Sequence, residues 1–593
     1  MSTETDLGGP VFLATTALEQ FWNTAFPIVF AGEWCLLHKR RSYWGNLNAE
    51  LMSSPYEENN ADERSYCLIT EIYESILPTL ADRLNLLHKV NHDHRYWRIM
   101  LGPWLQLYLS VTYDHFLHLQ TGMARYPGFT TIGLSSESFV TPVDTMHHVE
   151  IIKGDLYNLQ IYTNIMHFMG MRFPLKPWAS LLGNAPQKSS GNLFPRFVTR
   201  IAEGIANVCT SSSRTLHVQA SYFKKQSLRK LVALHPGLIW PRSSALNRCR
   251  AFRLDTEKRK QLDGLQFEGG DFARCLSIML PADLPQCFVE GFDTLQKVAR
   301  RKYWRRPKAI FSSNSWYFDE HFKHWAAESA EKGSLLLGTQ HGGCYGLLAH
   351  KLAEDHELAL ADRFYSWGWT REGVNAQVKP MPATNMIGIV MGADNKKNDI
   401  LWGATAEPRF VLELPRLPSA FPEYMNRQMR FLKSLPSHLL EEIRLRPHYE
   451  DHGWGIVDRL KQYFPAMRVE TWAVSFENSL SDCRLYVCDH LSTTYAQAFA
   501  VNKPIIIFLY DQQTTRLSVQ AEPCFLALRE AGILFNTPEE AAAAVSAIYD
   551  DVEAWWNEPA RQNAVQLFRD RFVKTSPHSI ALWSEELAGV LAS

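Results

Sequence analysis

The sequence has almost no excess charge: 61 Lys and Arg stand against 62 Asp and Glu, a net charge of −1. It therefore lacks the basic footprint of a nucleic-acid-binding protein. Its 10 cysteines include no C-x-x-C pair and are scattered from Cys35 to Cys524. This pattern indicates neither a disulfide framework nor a zinc site and points to a reducing compartment. No apolar run approaches the ~18 residues of a spanning helix. The polar start Met1-Ser2-Thr3-Glu4-Thr5-Asp6 has no signal-peptide pattern. A cytoplasmic protein is expected. With no G-x-x-x-x-G-K-[ST] loop and no G-x-G-x-x-G after a strand, P-loop ATP hydrolysis and nicotinamide chemistry are disfavoured. His92-x-His94 and His147-His148 lack a placed third ligand, so neither a metal nor a resident cofactor is expected.

What the sequence has is bulk. Its 593 residues, 46% hydrophobic with 18 Trp, exceed the roughly 250–300 that one core can hold, so at least two domains are expected. Basic clusters at His38-Lys39-Arg40-Arg41, at Lys224-Lys225 with Arg229-Lys230, and at Arg300-Arg301-Lys302 with Arg305-Arg306 read first as solvated surface. Contact with anionic lipid headgroups or with a phosphorylated acceptor is the functional alternative.

The N-terminal half reads as a first strand at Pro10-Val11-Phe12-Leu13-Ala14, a helix from Ala17, and mainly helix over residues 60–125. Residues 130–250 carry turn punctuation at 182–194 and at His235-Pro236-Gly237 and show no clear pattern. From Lys308 the pattern sharpens into strand 309–313, helix 316–331, strand 335–339 and strand 363–367, a βαβ series with continuous apolar strands that implies a parallel sheet. The polar run 392–399 suggests a linker. A second α/β series follows, with strands at 410–413, 443–446, 467–471, 485–488 and 504–509, and helices at 422–433, 456–463 and 492–501. Helices close the chain from Pro538, with Trp555 and Trp556 as docking residues. The expected architecture is α/β, two Rossmann-like domains facing a cleft with helical additions in the N-terminal half. The first spans 1–390 and the second 391–560, with helices 561–593 packing back on the first.

Parallel sheets bind ligands at the carboxyl ends of their strands, and three post-strand segments stand out. Gln340-His341-Gly342-Gly343 places a histidine with a near-neutral pKa between glycines that permit close backbone approach, so His341 and Gln340 are candidate catalytic residues. Arg446-Pro447-His448 offers a cation and an imidazole to a phosphate. Asp489-His490-Leu491-Ser492-Thr493-Thr494 puts hydroxyls where a helix begins; an N-cap and a phosphate site are both natural there, and they are compatible.

The order Gln340-His341-Gly342, Arg446-Pro447-His448, Asp489-x-x-Ser492-Thr493 and Lys503-Pro504-Ile505-Ile506 resembles that of CDP-glycerol glycerophosphotransferases and capsule-type Kdo transferases, mainly over residues 309–510. Phe12-Leu13-Ala14-Thr15-Thr16 and Leu101-Gly102-Pro103-Trp104-Leu105 resemble a family of uncharacterised transferases from surface-polysaccharide gene clusters, over most of the chain. The resemblance implies the GT-B architecture. It makes His341 a base or acceptor-activating residue on the cleft side of the first domain and assigns Arg446, His448, Asp489, Ser492, Thr493 and Thr494 to a nucleotide donor. The sequence departs from the glycerophosphotransferase pattern where Gly342-Gly343-Cys344 replaces Thr-Pro-Leu-Lys after the histidine, where no second proline follows His448, and where Leu491 replaces Tyr. These departures favour a sugar such as a CMP-activated ulosonic acid over glycerol phosphate. The implied function is a glycosyltransferase of O-antigen or capsule biosynthesis acting on a surface polysaccharide or lipid-linked glycan, in peripheral contact with the inner membrane. A polyol-phosphate transferase and a non-catalytic assembly component on the same fold are the alternatives.

Overall fold

The computed structural model describes residues 9–58, 60–178, 214–242, 248–303, 305–389, 399–509 and 516–592. The turn-rich stretch 182–194 and most of the polar run 392–399 lie outside them.

The chain opens with a small parallel sheet in sequence order, Phe12–Ala14, Ile28–Phe30 and Ala49–Leu51. No helix starts at Ala17: Leu18 is extended and only a single 3-10 turn forms at Glu19–Phe21. Two long helices follow, Ala61–His88 and His94–Arg125. The second starts at Asp93, whose side chain accepts the Tyr96 N–H, the usual role of an N-cap aspartate. It is buried almost all round between Tyr96 and Leu119, because it packs against the first long helix on one side and against helices Glu320–Glu331 and Leu352–Leu360 on others. Gly102 marks one crossing: a Cβ there would lie 2.3 Å from the His356 ring and 2.7 Å from the Tyr73 hydroxyl. Only glycine lets helix Leu352–Leu360 come this close.

The first six-stranded sheet runs Ile239–Arg242, Leu216–Gln219, Ala309–Ser312, Leu335–Thr339, Arg363–Ser366, Gln377–Pro380, all parallel. In its own sequence order this is 2-1-3-4-5-6. Two of its strands, Leu216–Gln219 and Ile239–Arg242, come from the stretch whose sequence shows no clear pattern. The helix expected at 316–331 is broken in two, because Asp319 ends Ser315–Phe318 and caps Glu320–Glu331 through the Phe322 N–H.

The second sheet runs Arg468–Val469, Ile443–Arg446, Ile400–Gly403, Leu485–Cys488, Ile505–Phe508, Leu534–Phe535. This is the order 3-2-1-4-5-6 of a dinucleotide-binding domain. Its first strand is Ile400–Gly403, directly after the polar run, and not residues 410–413. Phe410 and Val411 are buried, but in a loop: Phe410 packs on Trp34 and His115 of the N-terminal unit. Their apolar character serves a contact between units and not a sheet.

The C-terminal helices cross back. Pro559–Phe572 packs on Thr493–Ala500 and Glu522–Glu530. Ser579–Ala592 covers one face of the first sheet, where Trp583 packs on Phe223, Phe311 and Tyr365. Its Glu586 accepts from Arg363 and Tyr365 and pairs with Lys379. Trp556 is buried and donates to the Asn502 carbonyl at 2.9 Å. The result is two Rossmann-like domains facing a cleft, the GT-B architecture, with a third, N-terminal unit leaning on both.

Candidate active site

The carboxyl ends of the two sheets face each other, and two adjoining cavities of about 510 Å³ each lie between them. They share Glu407, Pro408, Leu412, Arg416, Ser492 and Thr493.

His341 follows strand Leu335–Thr339 and lines the first-domain side. Its Nε2 is 2.8 Å from Glu357 Oε1, and the Tyr345 hydroxyl lies 2.9 Å from the same nitrogen and 3.0 Å from the same carboxylate oxygen. A carboxylate only accepts, so this contact places the ring proton on Nε2 and leaves Nδ1 as the basic nitrogen. Burial holds the Tyr345 phenol well above its ordinary value, so it stays a donor. Glu357 sits on helix Leu352–Leu360, the element that Gly102 admits so closely. The Leu101-Gly102-Pro103-Trp104-Leu105 motif thus reaches the cleft through the helix it seats. The sequence offered no signal for Glu357, since the 16-residue step from His341 has no periodic meaning.

Gln340 is not in the cleft. It is fully buried; its carbonyl accepts from Trp367 N–H and Trp369 Nε1, and its amide donates to the Gly342 carbonyl. With its bonding groups engaged inside the loop, it holds the shape of the loop and lines neither cavity. The glycines also divide their roles. Gly346, at φ 72°, takes the left-handed turn beneath Trp369. Gly343 makes the close approach, but to the other domain: a Cβ there would lie 2.0 Å from the Ser492 carbonyl oxygen. Tyr495 also donates across the cleft to the Gly343 carbonyl at 2.5 Å. Gly342 has only ordinary contact with Tyr345.

Across from His341, helix Thr493–Ala500 begins at Ser492, whose hydroxyl makes no capping bond. The Ser492 N–H donates to His490 Nδ1 at 3.2 Å, and burial pushes His490 down to about 3, keeping it a neutral acceptor. Ser492 and Thr493 line both cavities, so the helix start, with its unsatisfied N–H groups, faces the space an anion would fill. Thr494 lines the second cavity but turns its hydroxyl inward, toward Tyr486 and Cys488. Asp489 is fully buried and accepts from Gln428, Tyr424 and Trp402; burial pushes its carboxyl up to about 7. It anchors the loop from beneath and does not line the cavities.

His448 lines the second cavity, its Nδ1 engaged with the backbone of Glu450. Arg446 borders the same cavity, but its charge is taken: it pairs with buried Glu470 at 2.6 Å and donates to the Val474 carbonyl. Two further cations line the cleft from segments without a sequence motif, each with a carboxylate partner: Arg416 with Glu407 at 3.8 Å and Lys153 with Glu450 at 3.0 Å. Arg416 lies on the loop after strand Ile400–Gly403 and lines both cavities, and Lys153 of the N-terminal unit lines the second. Arg416 carries no sequence signal of its own, because the segment before it reads as linker and strand.

Two of the paired histidines sit among other side chains. His92 bonds Glu331, and His148 is buried against Trp104 and Tyr157. Among the described residues no helix is long and apolar enough to cross a membrane.

Residues 11–587 match the model of the LIC12162 family of transferases. The chain belongs to that family. A search of curated proteins finds no match. Solved structures with a similar outline include UDP-GlcNAc 2-epimerase from Neisseria meningitidis (10% identity, TM-score 0.37, covering 63% of this chain and 99% of that one). MurG from Acinetobacter baumannii is similar at 10% identity and TM-score 0.32, over 64% of this chain and 99% of that one. The wall teichoic acid polymerase TagF matches at 10% identity and TM-score 0.32, over 68% and 99%. Likeness at this level carries no functional weight. The family membership makes the chain a transferase.

Proposed function

We propose that this transferase is a glycosyltransferase, moving a sugar from a nucleotide donor on the second domain to a hydroxyl of a surface polysaccharide or lipid-linked glycan at His341. One observation carries the reading: a histidine backed by a buried glutamate faces the open N-terminus of helix Thr493–Ala500 across a shared cleft. In this arrangement His341 Nδ1 takes the acceptor proton as the acceptor oxygen bonds to the sugar carbon. The Glu357 carboxylate steadies the imidazolium that results. The bond from sugar to nucleotide phosphate breaks, and the charge left on the phosphate is met by the helix start, Arg416 and Lys153.

For the donor we infer a cytidine nucleotide, with a CMP-linked ulosonic acid as the first to try. Its support is the motif order shared with capsule-type Kdo transferases and the departures from the glycerophosphotransferase pattern. A lipid-linked acceptor would bring the protein to the inner membrane surface.

Thermal unfolding with CMP, CDP, UDP, GDP and ADP tests the donor site. A ligand at ~100 times its dissociation constant stabilises the native state by about 2.7 kcal/mol. Selective stabilisation by a cytidine nucleotide is expected. Selective stabilisation by UDP or GDP would replace the donor class, and no response to any nucleotide would overturn the donor site.

A further inference from the structure

The second cavity has an aromatic corner that the chemistry above does not use. Trp472 follows strand Arg468–Val469 at the carboxyl end of the second sheet and lines the same cavity as Ser492 and Thr493. It is 53% exposed, the only tryptophan among the described residues left more open than covered; Trp34, Trp97, Trp104, Trp316, Trp402 and Trp583 are fully buried. An indole whose task is packing is buried, whereas this one is held rigid at the surface.

Three contacts hold it. Its Nε1 donates to the Pro447 carbonyl at 3.1 Å. The Arg446 guanidinium lies over one face, 4.5 Å from the ring centroid. Tyr449, itself 65% exposed, meets it edge-on at 5.9 Å and 80°. Arg446 is fixed in turn by Glu470 and by the Val474 carbonyl. A charge-balanced, hydrogen-bonded arginine thus serves as a rigid backing that leaves the rest of the ring to a flat partner.

We infer that Trp472, backed by Arg446 and edged by Tyr449, is the platform on which the base of the nucleotide donor stacks, an assignment that rests on the donor reading above. The base is favoured over an acceptor sugar because the platform belongs to the cavity that carries His448, whereas His341 lines the other one; the helix start borders both. Stacking on an aromatic face tolerates any base. The platform therefore supplies affinity, and the choice among bases rests with polar groups around it.

The test compares the parent with Trp472→Ala and Trp472→Phe, titrated calorimetrically with CDP, UDP, GDP and inorganic pyrophosphate. Trp472→Ala should weaken the nucleoside diphosphate that binds the parent by about 5- to 100-fold and leave pyrophosphate, which has no base, unchanged. Trp472→Phe should recover most of the loss. Equal nucleotide affinity in Trp472→Ala and parent would overturn the platform while leaving the donor site standing. An equal loss for pyrophosphate and nucleotide would overturn it in favour of a general disturbance of the loop. A parent that binds none of the nucleotides would remove the donor reading and the platform together.

Discussion

Arg409 and Asp155 lie 254 residues apart in the chain and meet in a largely buried ion pair, Nη2 to Oδ2, at 2.5 Å. Arg409, on the loop after the first strand of the second sheet, also donates to the carbonyls of His452 and Trp34. Asp155 begins helix Asp155–Phe168 and accepts from the Ala17 N–H and the Thr16 hydroxyl. The Phe12-Leu13-Ala14-Thr15-Thr16 motif thus joins its own sheet to the second domain, and Lys153, two residues from Asp155, is delivered to the cleft wall.

Breaking that pair should be costly. Arg409→Ala leaves a largely buried carboxylate without its cation, and a loss of up to about 3 kcal/mol in unfolding free energy is expected, since the Ala17 N–H and the Thr16 hydroxyl still serve Asp155. The double variant Arg409→Ala with Asp155→Asn should lose less, because no uncompensated charge remains. Urea unfolding of the three proteins measures this; a double variant no more stable than the single would show that the charge is not the cause.

Glu357→Gln keeps the size of the side chain but removes the charge that supports the His341 imidazolium. The turnover number should fall by about 10²–10⁴-fold with nucleotide affinity unchanged. Tyr345→Phe should fall less, since it removes one hydrogen bond and no charge. Steady-state kinetics beside a nucleotide titration separates the two parameters. Parent-like turnover in Glu357→Gln would rule out the glutamate charge as a support of His341, and parent-like turnover in His341→Ala would rule out His341 as the base.

Gly343→Ala should separate the cleft walls. The added methyl would sit 2.0 Å from the Ser492 carbonyl oxygen and 3.1 Å from the Tyr495 ring, so the His341 loop must retreat. A displacement of about 1 Å is enough for a 100-fold loss of turnover, while the overpacking itself costs about 1–3 kcal/mol. Turnover and thermal unfolding of the same preparation should therefore show a folded but slow enzyme.

Arg416→Ala should weaken nucleoside diphosphate binding by about 1.5–3 kcal/mol, the range for a hydrogen bond to a charged group. Ser492→Ala with Thr493→Ala should weaken it less, because the helix N–H groups remain. Calorimetric titration gives both numbers. Unchanged affinity in all the variants would move the phosphate away from the helix start.

Acid should be felt at His148. Burial pushes its imidazole down to about 3, and neither ring nitrogen has a hydrogen-bond partner. The unfolded chain takes up a proton near the ordinary 6.5 that the folded chain refuses, so this group's contribution is intact above 6.5 and lost as pH falls from 6.5 toward 3. Asp283 and Asp489 act in the opposite sense. Their carboxyls are pushed up to about 6 and about 7, so the folded state keeps protons that the unfolded chain releases, and stability falls as pH rises from about 4 to 7. The clean measurement is the difference between parent and His148→Phe: the variant should lose about 1.4 kcal/mol less per pH unit below 6.5. Parallel stability curves from pH 7 to 5 would show that His148 protonates freely in the native protein.

Much of the α/β character was legible locally. Strands such as Leu335–Thr339, Leu485–Cys488 and Ile505–Phe508 are buried, mainly apolar runs, and a strand buried on both faces has no other pattern to show. Where burial had another cause, the same rule misled. Phe410 and Val411 are apolar because they dock on the N-terminal unit, and the true strand Ile400–Gly403 was hidden behind a polar run.

By itself, then, the sequence determined the two-domain α/β class, the post-strand position of His341 and the hydroxyl-rich start of helix Thr493–Ala500, all of which rest on short-range burial and turn chemistry. Only the tertiary structure decided that Glu357 backs His341, that Arg446 pairs with Glu470 and lies under Trp472, that Gln340 and Asp489 face inward, and that Arg416 and Lys153 bring positive charge to the cleft. Each depends on which distant segments pack together, and a local pattern carries no record of its partner across the fold.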